Sequence, residues 1–260
     1  MTTAPVPLLR VQTLSKWFGG VVGCRDVTFD LYPGEILGVV GESGSGKTTL
    51  LRCLSGRLEP TSGEAIFNAR RHGPVNIFNL SEQDRRRLQR EDWGFVHQNP
   101  RDGLRMRVSG GANVAEPLMN LGGRHYGRMR QSSLNWLSRV ELDSARVDHR
   151  PRTFSGGMQQ RIQIARNLIH QPSLVFMDEP TGGLDVSVQA RLLDLLRELV
   201  RDLDLSVILV THDMGVARLM ADRLLVMKNG LVVETGLTDQ VLDDAQHPYT
   251  QLLVSSVLQI

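Results

Sequence analysis

The chain has 260 residues, 41% of them hydrophobic, which is enough apolar side chain to bury a core and excludes a disordered polypeptide. Thirty Lys and Arg against 28 Asp and Glu leave a net charge of +2, too weak a field for a dedicated nucleic-acid binder. Two cysteines, Cys24 and Cys53, without a CxxC, exclude a disulfide framework and an ordinary zinc site, and no run of about 18 apolar residues occurs. A soluble, cytoplasmic protein with no direct membrane insertion is expected, any membrane role coming through partners.

Apolar runs and alternation predict strands over Leu8–Leu14, Val21–Leu31 and Glu35–Gly41, with Pro33-Gly34 turning between the last two. A glycine-rich stretch then opens a helix over Lys47–Gly56. A second turn signal, Pro60-Thr61-Ser62-Gly63, precedes a strand over Glu64–Phe67. From Ser81 the pattern becomes helical, with Asp84 three residues on in the position of a capping box. Trp93–His97 reads as a short buried strand, and residues 111–150 carry helical periodicity, which suggests a helical insertion. A helix over Met158–Ile169, a strand over Ser173–Met177, a long amphipathic helix over Val186–Leu203 and a strand over Ser206–Val210 follow. That alternation predicts an α/β protein with a parallel sheet flanked by helices.

Between a predicted strand and a predicted helix stands Gly41-Glu42-Ser43-Gly44-Ser45-Gly46-Lys47-Thr48, which fits G-x-x-x-x-G-K-[ST]. Glycines let the backbone curl so that successive N–H groups point inward at a triphosphate, and the helix N-terminus adds partial positive charge. Lys47 then reaches the β- and γ-phosphates, the Thr48 hydroxyl is placed for Mg²⁺, and Thr49 completes the loop.

Leu174-Val175-Phe176-Met177-Asp178-Glu179 is an apolar strand ending in two carboxylates. Alone it reads equally well as a strand closed by acidic turn residues. Downstream of a phosphate loop, Asp178 is placed to help hold Mg²⁺ and Glu179 to act as general base toward the attacking water. Ser155-Gly156-Gly157 offers a second glycine-permitted helix N-terminus, or an ordinary Ser cap.

With Phe154-Ser155-Gly156-Gly157-Met158-Gln159-Gln160-Arg161 matching the family's signature motif, the chain resembles the ATP-binding cassette ATPases along nearly its whole length. The resemblance implies a P-loop NTPase with a RecA-like parallel core, an N-terminal antiparallel β-subdomain and a helical subdomain. The expected division of the single domain is a core over about 8–98 and 160–245, the helical subdomain over 99–159, and a C-terminal helix over 246–260. It implies a head-to-tail dimer, with itself or a related subunit, in which Ser155, Gly156, Gly157 and Gln159 face the ATP of the other copy. Phe154 stands where Leu is usual and Met158 where Gln is common. Gln98 resembles the Q-loop glutamine that senses Mg²⁺, His212 the switch histidine, and Asp185 in Gly183-Leu184-Asp185 the D-loop residue. Gly182-Gly183 replaces the more familiar Ser-Ala. For the adenine, the family stacks an aromatic ring from the N-terminal strands; Trp17 and Phe18 both qualify, either could be core, and Phe18 before Gly19 is preferred.

Two partners fit the resemblance. His247-Pro248-Tyr249-Thr250 and the run from Asp178 to Ala190 are similar to the oligopeptide-importer group, which implies a membrane permease. Those segments together with His97–Arg105 look more like the ATP-binding subunits of the phosphonate carbon-phosphorus lyase system, which implies docking on a soluble lyase core. Arg101, Arg105 and Arg107 add charge after Gln98 and favour the second partner, although a solvated loop would look the same; Arg85, Arg86, Arg87 and Arg90 read as an exposed helix face.

Overall fold

A computed structural model describes residues 5–257. The first four residues and the last three of the expected C-terminal helix lie outside the described residues. In chain order, β1 Leu9–Phe18, β2 Val21–Leu31 and β3 Ile36–Val40 lead into α1 Lys47–Leu54. Then come β4 Ser62–Ala69, β5 Gly73–Asn76, α2 Glu82–Glu91 and β6 Trp93–Val96. The helical stretch holds α3 Pro100–Gly103, α4 Gly110–Asn120, α5 Tyr126–Arg139 and α6 Gly156–Leu168. The chain continues through β7 Leu174–Asp178, α7 Val186–Asp202, β8 Ser206–Thr211 and α8 Met214–Met220. It closes with β9 Arg223–Lys228, β10 Leu231–Leu237, α9 Thr238–Asp243 and α10 Pro248–Val257.

These elements form two units: the described residues up to Arg86 with those from Asp204 onward, and Arg87–Leu203. The first unit contains two sheets. Strands β2, β1, β4 and β5 pair antiparallel in that order. The alternation that marks β1 in the sequence breaks where Thr13 takes a positive φ of 48°, a bulge whose N–H is accepted by the Thr28 hydroxyl at 2.9 Å. The strand then runs on to Phe18, four residues past the predicted end, because bulges rather than a turn absorb the lost period.

In the second sheet of this unit β3 lies parallel to both β8 and β9, and β10 turns back antiparallel on β9. β3 and β8 are buried along their whole length, which is why they read as unbroken apolar runs. Leu50, Leu51 and Leu54 of α1 are at most 1% exposed.

The unit from Arg87 to Leu203 holds the parallel pair β6–β7 and helices α3 to α7. Phe176 is fully buried and meets Trp93 edge-on, ring centroids 5.4 Å apart at 85°. The predicted helical insertion resolves into α4 and α5, joined to α6 by short 3₁₀ turns. Glu116 of α4 binds Arg166 of α6 at 3.0 Å and Arg105 at 2.7 Å, so one of the three arginines after Gln98 is committed within its own unit, while Arg101 and Arg107 stay exposed. On α2, Arg86 pairs with Glu82 and Arg87 with Glu91, each four residues away, as expected of a solvated face. Among the described residues no helix is long and apolar enough to cross a membrane.

Candidate active site

The loop between β3 and α1 curls because two positions admit only glycine. Gly41 has φ 145° and Gly46 φ 104°, and a Cβ would lie 2.2 Å from the Met227 carbonyl oxygen at the first and 2.1 Å from that of Gly23 at the second. Ser43 and Gly44 form the exposed crest, whereas Ser45 is buried. The Lys47 ammonium donates to the carbonyls of Gly41 (2.6 Å) and Glu42 (2.7 Å) and to Ser45 Oγ (3.4 Å), so the cation sits inside the curl. Gly46 brings no side-chain cap to α1, and the helix N-terminus with Lys47, Thr48 and Thr49 opens toward that curl.

The β9–β10 hairpin braces the loop. Asn229 and Gly230 have φ 50° and 79°, a two-residue turn, and the Gly230 N–H donates to the Ser45 carbonyl at 2.9 Å. Asn-Gly between two apolar runs is the sequence signal of this hairpin, which is not among the predicted elements. In register, Val40 of β3 faces Thr211 of β8, so Gly41 and His212 each begin one residue beyond neighbouring parallel strands. His212 is exposed at that edge. Phe18 is 48% exposed; its ring edge and the Thr49 methyl flank Gly23, each 2.8 Å from where a Cβ there would stand. An aromatic face thus lies beside the start of α1, with the Lys16 ammonium 5.3 Å from its centroid.

In the other unit, Val96 of β6 faces Met177 of β7, so Gln98 and Glu179 each lie two residues past paired positions. The Gln98 amide donates to a Glu179 carboxylate oxygen at 2.9 Å. Asp178 ends β7, and Glu179 turns the chain with φ 45°. Gly182 leaves room for this pair: a Cβ there would stand 3.2 Å from both the Gln98 amide nitrogen and the Glu179 carbonyl oxygen. Gln98, Gly156, Gly182 and Leu184 line a cleft of about 300 Å³.

Ser155 caps α6, its Oγ accepting the Met158 N–H at 3.4 Å, and Ser155 and Gly156 are exposed at the helix start. Gly157 is buried, because Val188 would touch any side chain there at 2.6 Å. Gln159 turns inward and donates to the carbonyls of Pro151 (3.1 Å) and Phe154 (2.9 Å), so its amide shapes the segment before the helix. Gln163 and Gln160, both buried, grip the backbone of His97. The Gln163 oxygen accepts the His97 N–H at 2.8 Å, and both amides donate to the His97 carbonyl, at 3.1 and 3.2 Å. Asp185 caps α7 by accepting from Val188 N–H at 3.0 Å and Ser187 Oγ at 2.8 Å, which holds its carboxyl below the usual carboxylate range.

Comparison with known families finds that residues 24–182 match the model described as ABC transporter. The chain belongs to that family. It is an ATP-binding, ATP-hydrolysing cassette, with the α/β P-loop fold expected from its sequence. It is 63% identical to the putative phosphonates utilization ATP-binding protein PhnK of Escherichia coli, over 97% of this chain and 98% of that one. It is 37% identical to the dipeptide transport ATP-binding protein DppD of Bacillus subtilis, over 96% of this chain and 76% of the relative. Among solved structures it is similar to the ATP-binding cassette MJ0796 in a dimeric post-hydrolysis state bound to ADP and Pi, with TM-score 0.79 and 28% identity, over 88% of this chain and 98% of that one.

Proposed function

We propose that residues 1–260 act as one cassette that pairs head-to-tail with itself or a close relative in the cytoplasm, hydrolyses Mg·ATP at the shared face, and drives a soluble carbon-phosphorus lyase core in phosphonate breakdown. In this reading Gly41, Ser43, Gly44, Ser45, Gly46, Lys47, Thr48 and Thr49 hold the phosphates, Phe18 stacks on the adenine, and Ser155 and Gly156 form the face presented to the partner's ATP, shaped from beneath by the buried Gly157 and Gln159. Asp185 lies at the same face. Thr48, Asp178 and Gln98 supply a hydroxyl, a carboxylate and an amide oxygen, the hard donors that suit Mg²⁺. Bound there, the ion would neutralise charge on the phosphates.

Hydrolysis then needs a base. Glu179 takes a proton from water as its oxygen bonds to the γ-phosphorus, the bond from that phosphorus to the bridging oxygen breaks, and ADP leaves; His212 orients water and phosphate. The observation that carries the chemistry is the 2.9 Å contact between Gln98 and Glu179, which ties a proposed metal-sensing residue to the proposed base. The dimeric state of the MJ0796 cassette supports the pairing.

The choice of partner rests on 63% identity across nearly the full length of a phosphonates utilization protein, against 37% for a dipeptide transport one. Tagged protein recovered from cells at native expression tests it. Soluble lyase subunits are the expected companions; a multispan permease in their place would favour the importer reading instead.

A further inference from the structure

His247-Pro248-Tyr249-Thr250 stands out in the sequence, and the proposed hydrolysis does not use it. In the fold it starts α10. Pro248 occupies the first helical position, where its missing N–H goes unneeded, and His247 Nδ1 accepts the Tyr249 N–H at 3.1 Å. Glu234 on β10 accepts the N–H groups of Gln246 (2.8 Å) and His247 (3.0 Å), which pins the helix start to the sheet.

That anchorage delivers one side chain to the phosphate loop. Tyr249 is 4% exposed, with the Lys228 ammonium 4.5 Å from its ring centroid, and its hydroxyl oxygen accepts the Glu42 N–H at 3.0 Å. The N–H of Glu42 and the C=O of Gly41 belong to a single planar peptide unit. The carbonyl end of that unit accepts from Lys47 at 2.6 Å. Gly41, at φ 145°, offers no side chain to resist rotation of the unit, and a flip would swing the carbonyl away and aim an N–H at the ammonium.

We infer that Tyr249 is a positioning residue for ATP binding: by accepting from Glu42 it fixes the Gly41–Glu42 peptide in the orientation that seats Lys47. The inference rests on the reading of residues 41–48 as the triphosphate loop. The motif is then an internal brace between the C-terminal helix and the nucleotide site.

Tyr249→Phe removes one oxygen and keeps the ring. In the full-length protein its Kd for ATP, measured by calorimetry with Mg²⁺ present, rises about tenfold, while kcat at saturating ATP stays within about twofold. Exchange of the Glu42 amide, followed by NMR on ¹⁵N-labelled protein, becomes faster. An unchanged Kd in the folded variant overturns the inference whatever the amide does. So does a raised Kd without faster exchange at Glu42, since the effect would then not pass through that amide. Lys47→Ala, measured alongside, separates the two levels: normal ATP affinity there sinks the reading of the loop itself. Should Tyr249→Phe not accumulate as folded protein, Glu234→Gln loosens the anchorage instead, with a rise of about threefold in Kd expected and an unchanged Kd overturning the proposal.

Discussion

Holding a non-glycine residue in left-handed backbone costs on the order of 1–3 kcal/mol, and Glu179 is held there at φ 45° directly after a buried strand. The turn places its carboxylate against Gln98, so local strain accompanies the proposed catalytic contact. Replacing Glu179 by Gln preserves shape and hydrogen bonding to Gln98 but removes the base. ATP affinity should hold while turnover falls by about 10²–10⁴, and unchanged ATPase activity would remove Glu179 from the chemistry. Gly182→Ser tests the neighbouring room. Its Cβ would stand 3.2 Å from the Gln98 amide nitrogen, so the amide must give way, and kcat should drop about fivefold with little change in ATP affinity. Lys47→Ala, by removing the buried cation of the loop, should weaken ATP binding at least about tenfold by calorimetry.

Helix α7 runs 17 residues from a single aspartate cap. The Asp185 carboxyl, held low by the Val188 N–H and the Ser187 hydroxyl, has a folded-state pKa below its unfolded one. Its contribution to stability is therefore complete above the ordinary aspartate range and disappears as pH falls through the folded value, below about pH 4. Asp185→Asn keeps a capping oxygen and loses the titration, so its unfolding midpoint should vary less with acid over that window; chemical denaturation from pH 5 downward checks this. At this scale the sequence was readable at several elements where burial leaves an unbroken apolar run or a helical face. The runs of β3, β7 and β8 and the face of α7 stood out because each is apolar for a reason visible in neighbouring residues. β5 did not, since Gly73-Pro74-Val75-Asn76 carries no period and owes its pairing to β4. β9 and β10 were passed over despite the Asn229-Gly230 turn between them.

Across the whole molecule, the order of short motifs was enough to point to the family and to the proposed site residues. What joins those motifs was not legible. The grip of Gln163 on His97 spans 66 positions and that of Tyr249 on Glu42 spans 207, and no local pattern announces which distant backbone group an amide or a phenol will meet. The inward turn of Gln159, expected at an exposed face, has a local cause: its partners are carbonyls five and eight positions back, in the segment before the helix. The proposed pairing also belongs here. Glu179→Gln given Mg·ATP should elute from size-exclusion chromatography at twice the monomer mass and return to monomer without nucleotide; a monomer under both conditions would argue against a homomeric pair.

The clamp of Gln160 and Gln163 on His97 makes α6 a stiff lever. Two buried amides seize both polar groups of one residue, leaving no slack between the helix and the strand end. The backbone held in this way leads directly into Gln98. If the tip of α6 meets the partner's ATP as proposed, a shift of that helix would be passed through His97 to Gln98 and from there to the Glu179 carboxylate.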